Sequence, residues 1–123
     1  MKAEDVMSAQ DFFEQAKSLV TFISCKDYKS AQRRDVDHVI LDVRTKEEFE
    51  AGHIDEALHI PRGKLEFEIL KAVPNKNAPI MACCGTGKRA ALAALTLQKM
   101  GYSNVRVLED GYEGYCEIDE DGK

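Results

Sequence analysis

Tryptophan is absent from this chain, proline occurs only three times, and none of the eight glycines belongs to a Gly/Ser/Pro tract. Without such a tract there is no interdomain linker to read, and 123 residues suit one compact domain. Internal repeats and low-complexity segments are lacking as well. No apolar run approaches the roughly 20 residues a bilayer span needs, and the opening MKAEDVMSAQ has no apolar stretch of secretory type. A cytoplasmic location is expected, or a periplasmic one if a signal peptide has been removed. There is no basic surplus either. Lys and Arg number 17 against 22 Asp and Glu, a formal charge of −5, so neither a phosphate backbone nor an anionic membrane is an expected partner.

Metal-ligand spacing is also missing. The four cysteines, Cys25, Cys83, Cys84 and Cys116, contain no C-x2-C pair, and His38, His53 and His59 do not complete a ligand set. No metal and no cofactor is expected. Cys83 and Cys84, as neighbours, could pair only under strain, and a domain of this length buries a core without cross-links. Reduced thiols are predicted.

What the chain does have is alternation. Short apolar runs, VTFI from Val20, VILDV from Val39, ALHI from Ala57, PIMACC from Pro79 and VRVL from Val105, predict five strands, several of them buried on both faces. Helical patterns lie between them. Ser8 and Asp11 precede FFEQAKSLV, Ser24 and Asp27 precede YKSAQR, and Thr45 with Glu48 makes a capping box before FEAG. The Ala- and Leu-rich segment Arg89 to Met100 ends at Gly101, the residue best suited to a left-handed helix stop. Strand and helix in turn require crossover connections, hence an α/β fold with a five-stranded, mainly parallel sheet and helices on both faces. Ligands in such sheets sit beyond the carboxyl ends of strands, so the loops after VILDV and PIMACC are where chemistry is expected.

The second of these loops reads Cys84, Gly85, Thr86, Gly87, Lys88, Arg89 and leads into the Ala-rich helix. Two glycines let the backbone curl with its amides inward, and the helix start adds unpaired N–H donors and a positive dipole end. A cysteine at the lip of such a cup, beside Lys88 and Arg89, is expected to favour thiolate over thiol and act as a nucleophile. Cys25, Cys83 and Cys116 read more simply as structural cysteines. A nucleotide-phosphate loop does not fit, because Gly85 and Gly87 are only two apart and Arg89, not a hydroxyl, follows Lys88.

From about Ser24 to Tyr115 the chain resembles the single-domain rhodaneses, a sulfurtransferase family. VILDVRTKEEFEAGHIDEALHIP resembles the family's Asp-x-Arg, Glu, Gly-His-Ile and Ile-Pro succession; CGTGKRA resembles its active-site loop; MGYSNVRVLEDG resembles its Gly-Tyr-x-Asn-Val strand entry; and GYEGY stands where the family often ends in a Trp. The resemblance implies a persulfide on Cys84, amides of Gly85 to Arg89 around it, and Asp42 and Arg44 shaping the site from the neighbouring strand end. Residues 20–116 are then expected as the rhodanese-like domain; 1–19, which the resemblance does not cover, are expected as an extra amphipathic N-terminal helix, and the acidic composition of 117–123 predicts a solvated, disordered tail. Two departures stand out. Gly85 occupies a place often held by Arg, which weakens the expectation for thiosulfate, and Cys83 adds an adjacent thiol that could resolve the persulfide.

In the expected reaction Cys84 takes a sulfane sulfur from thiosulfate, polysulfide or another persulfide and yields it to a thiol, a protein cysteine or cyanide. Lys88 and Arg89 are expected to hold the anionic donor, and the histidines to be structural. The competing enzyme is a cysteine-dependent phosphatase or arsenate reductase, whose wider ring would run from Cys83, five residues before Arg89, where Cys84 leaves four. Glycine placement favours Cys84, since only from there does Gly87 fall three positions on. A third reading is a non-catalytic sulfur carrier or docking module. Phe12, Phe13, Ala16, Leu19 and Val20 share one helix face that could pack on the sheet or meet a second copy of the chain.

Overall fold

The computed structural model of the protein describes residues 7–32 and 37–118. Five parallel strands, β1 (Thr21–Ile23), β2 (Val39–Asp42), β3 (Leu58–His59), β4 (Ile80–Cys83) and β5 (Val105–Leu108), form one sheet in the order β1-β5-β4-β2-β3. All five predicted runs are strands. β4 lies at the centre with every residue buried, as a continuous apolar run requires when both faces are covered. The shortest strand, the two-residue β3, closes one edge.

Among the described residues six α-helices flank or connect the strands: α1 (Ala9–Leu19), α2 (Cys25–Gln32), α3 (Lys46–Ala51), α4 (Leu65–Ala72), α5 (Lys88–Lys99) and α6 (Gly111–Glu117). Helix α5 packs on β4 and β5 and carries α1 and α4 against it; α2 and α6 pair on the other face. Small residues make the close approach of α5 possible: Ala90, Ala91, Ala93 and Ala94 are fully buried, with Leu97 beside them. The capping box predicted for Thr45 with Glu48 forms, Ser8 and Asp11 make a second one at the start of α1, and Ser24 Oγ accepts from the Asp27 amide at the start of α2. Beyond Met100 the chain turns at Gly101 (φ 100°), and the Tyr102 amide bonds back to Leu97.

Two helices escape the sequence pattern. α4, LEFEILKA, buries Leu65 and Ile69 but leaves Phe67 and Leu70 exposed, so its apolar residues do not keep to one stripe. α6, GYEGYCE, contains two glycines that disfavour a free helix and is held instead by its packing. The face foreseen on α1 is narrower than the sequence suggests: Ala16 is buried and Phe13 partly so, whereas Phe12 and Leu19 are exposed. α1 nevertheless packs on the common core, and α6 extends to Glu117, one residue into the expected tail. Residues 119–123 of that tail and Arg33 of the second helical pattern lie outside the described residues. Among the described residues no helix is long and apolar enough to cross a membrane.

Candidate active site

The central strands β2 and β4 end side by side, Asp42 opposite Cys83, and the chain beyond β4 forms the loop 84–87 before α5 begins. Consecutive residues near a strand end point to opposite faces. Cys83 therefore joins the apolar cluster of Cys25, Tyr28, Ile40 and Leu108, while Cys84 faces α5 and the cluster of Val43, Leu65 and Ala90. Each is about 1% exposed. Cys84 thus lies at the bottom of the loop rather than at its lip as the sequence suggested, because its side chain follows the inward alternation of the strand.

Two backbone amides reach the Cys84 sulfur. The Gly87 N–H donates to Sγ at 3.0 Å and the Ala90 N–H at 3.3 Å. Ala90 is the third residue of α5, so the sulfur takes the place of a capping side chain on one of the helix's unpaired donors. The sequence reading placed the amides of Gly85 to Arg89 around the sulfur; of these Gly87 bonds to it, and Ala90 lies one residue beyond. Gly87 adopts φ 101° and sits against the Leu108 carbonyl and the Asp110 amide, a conformation that only glycine takes without strain.

The loop is held from behind by α6. Tyr112 N–H donates to the Cys84 carbonyl at 2.7 Å and Glu113 N–H to the Gly85 carbonyl at 3.1 Å. Gly111 makes this approach possible. Its φ is 60°, and a Cβ there would collide with the carbonyls of Cys84 and Gly85. The sequence does not single out Gly111 or the two α6 amides; the available signal is the glycine that ends LEDG and begins GYEGY.

Asp42 and Arg44 form a buried pair at the end of β2. Arg44 donates through its backbone N and Nε to Asp42 Oδ1, both at 3.0 Å, and through Nη2 to Oδ2 at 2.8 Å. Nη2 also reaches the Gly52 carbonyl at 2.7 Å, and the guanidinium lies 4.5 Å from the Tyr112 ring centroid. Every contact is internal, so the pair ties β2, α3 and α6 together behind the loop. His59 Nε2 donates to the Arg44 carbonyl and stacks on Phe49, whose other face meets His53; His53 Nδ1 in turn donates to the Phe49 carbonyl. His38 bonds to the Tyr28 hydroxyl at 2.6 Å.

The loop cations are engaged otherwise than expected. Arg89 makes a two-pronged pair with Glu48 of α3, Nη1 to Oε1 at 2.7 Å and Nη2 to Oε2 at 2.9 Å. These bonds hold the Glu48 carboxyl down at about 2. Lys88 Nζ lies 5.6 Å from the Phe13 ring of α1. Thr86 is exposed. Of the other thiols, burial, and next the charge of Asp42, pushes Cys83 far above the ordinary thiol range; its sulfur approaches the Cys84 carbonyl at 3.5 Å. A resolving role for Cys83 would need its sulfur on the other face of the sheet. Cys25 is raised to about 11 by burial first and Asp110 second, and donates to the Glu109 carbonyl. Cys116 is exposed on α6.

Comparison with known proteins places this geometry. A family model described as a rhodanese-like domain matches residues 24–118. YrkF of Bacillus subtilis, named as a proposed sulfur carrier, is 36% identical over 88 residues, which cover 72% of this chain and 46% of that protein. Thiosulfate sulfurtransferase GlpE of Coxiella burnetii is 33% identical over 86 residues, 70% of this chain and 77% of the relative. Among solved structures, a Rhodopseudomonas palustris protein of unknown function, described as a candidate tyrosine phosphatase, superposes with a TM-score of 0.84 at 26% identity and covers 95% of both chains. The chain spans about half the length of the Bacillus relative. With a family match over most of its length and the parallel sheet that such a domain needs, this chain belongs to the rhodanese-like family.

Proposed function

We propose that the protein is a sulfurtransferase that carries a sulfane sulfur as a persulfide on Cys84. The observation that carries this reading is the pair of amides, from Gly87 and Ala90, aimed at a single sulfur atom in a loop only four residues long between Cys84 and Arg89. Donors fixed before the reaction stabilise negative charge on sulfur without reorganising, unlike water. The Cys84 thiolate attacks the outer sulfur of the donor; the new S–S bond forms as the donor's S–S bond breaks, and the remainder leaves with the electron pair. A thiol, a protein cysteine or cyanide then removes the outer sulfur and restores the thiolate. The relatives named as sulfur carrier and thiosulfate sulfurtransferase support the same chemistry.

A phosphatase ring would need Cys83 as its nucleophile, and that sulfur packs with Tyr28 and Ile40 on the far side of the sheet. Intact mass after incubation with polysulfide tests the choice. Wild type and Cys83→Ala gain about one sulfur mass, roughly 32 Da, reversible by cyanide or reductant, and Cys84→Ser gains none. Loss only in Cys83→Ala would refute the assignment, and hydrolysis of an aryl phosphate without sulfur uptake would transfer it to phosphatase chemistry. Loading without multiple turnovers would make the domain a carrier.

A further inference from the structure

The residue beside the nucleophile has no side chain, and the groups around the space it leaves are charged. A Cβ built on Gly85 would lie 3.1 Å from Arg89 Nη2, 3.6 Å from Glu113 Oε2 and 3.9 Å from Glu48 Oε2. One guanidinium and two carboxylates therefore border the loop at the position next to Cys84. The guanidinium is already committed to Glu48 through two short hydrogen bonds. Glu113, exposed in the first turn of α6, has no ion-pair partner among the described residues, so these three groups together carry one net negative charge. The loop's second cation, Lys88, is turned towards Phe13 of α1, and the nearby Asp42–Arg44 pair is buried and internally balanced.

Glu48 does not swing freely. Its Oε1 also accepts from the Thr45 amide and hydroxyl, both at 3.1 Å, so the carboxylate is pinned at the start of α3 and keeps Arg89 occupied. A donor reaching Cys84 past Gly85 meets a border of one net negative charge, formed by partly exposed Glu48 and exposed Glu113, close enough to the loop that solvent and salt weaken its field without abolishing it. Repulsion grows with the donor's own charge.

We propose that Glu48 and Glu113 set the donor class of this site, disfavouring small dianions and admitting a sulfane sulfur carried on an organic thiol of neutral or positive charge. This rests on the persulfide reading of Cys84. In the step concerned, the Cys84 thiolate attacks the outer sulfur of R–S–S–H, the Cys84 S–S bond forms and the donor S–S bond breaks. The proton stays with the transferred sulfur and R–S⁻ departs. The transferred sulfur keeps its oxidation level, so no further reactant enters.

The test is a charge series read by intact mass on the full chain, with first-turnover loading rates from the persulfides of cysteamine, 2-mercaptoethanol and 3-mercaptopropionate, and from thiosulfate. Rates should fall in that order, by about tenfold from the ammonium to the carboxylate donor. Glu113→Gln and Glu48→Gln should each compress the series to within roughly threefold, Glu48→Gln also freeing Arg89 while Gln still serves the capping box. Glu68→Gln, the same change of charge on exposed α4, should leave the slope as in wild type. A flat or reversed series in wild type, or an equal flattening by Glu68→Gln, would overturn the proposal while leaving the persulfide intact. Failure of every donor to add sulfur to Cys84 would overturn both.

Discussion

Cys83 and Cys84 are consecutive in the chain, equally buried, and set in opposite surroundings. The Cys83 sulfur packs with Tyr28, Ile40 and Leu108 and donates to a carbonyl oxygen, which offers an anion nothing. The Cys84 sulfur accepts two N–H bonds from a tight turn and a helix start. Burial therefore does not distinguish the two thiols; the direction of the neighbouring peptide dipoles does. One residue of strand alternation separates a core thiol from the candidate nucleophile.

The comparison can be broken from the Cys84 side. Gly111→Ala forces a side chain into the carbonyls of Cys84 and Gly85 and a left-handed φ on a non-glycine residue, and we expect a loss of about 2–4 kcal/mol in urea unfolding together with loss of sulfur loading. Gly63→Ala is the control, because nothing lies within 4 Å of the Cβ it would add. Equal effects of the two would remove α6 from its role as the loop's clamp. From the other side, Cys83→Ala should cost about 1 kcal/mol for the small void and leave first-turnover loading within about twofold of wild type. A loading defect larger than that would mean that Cys83 takes part after all.

The smallest expected effect is electrostatic. Glu48 is held near 2 by Arg89 against an ordinary 4.5, so its contribution to stability is complete above 4.5 and is lost as pH falls towards 2. Both side chains are about two-fifths exposed, which limits that contribution to about 1 kcal/mol or less. The gap in urea midpoint between wild type and Glu48→Gln should accordingly narrow between pH 6 and pH 3. A gap that is constant over this range would show that the pair adds nothing to folding.

The strands were legible because each is a short apolar run ended by turn residues, and β2 and β4 lie in the middle of the sheet, where such runs belong. Three helix starts were legible because capping is a local bond between residues three apart. α6 was not, since GYEGYCE disfavours a helix and its amides are spent on carbonyls more than twenty residues earlier. In the sequence Arg89 reads as a donor-holding cation because its partner Glu48 lies 41 residues away and serves there as a helix cap. Ala90 gives no signal in the sequence, since alanine has no side-chain chemistry and only its backbone N–H meets the sulfur.

By itself the sequence determined the α/β class, the five strands, the family and the loop in which a cysteine precedes two glycines and a helix, because all of these depend on local patterning and residue type. Only the tertiary structure decided which amides meet the Cys84 sulfur, how the Cys83 sulfur is turned away from them, and which charges surround Gly85. Those outcomes depend on the face a strand turns to its neighbours and on side chains from α3 and α6 meeting the loop, and no spacing along the chain encodes where such distant segments come together.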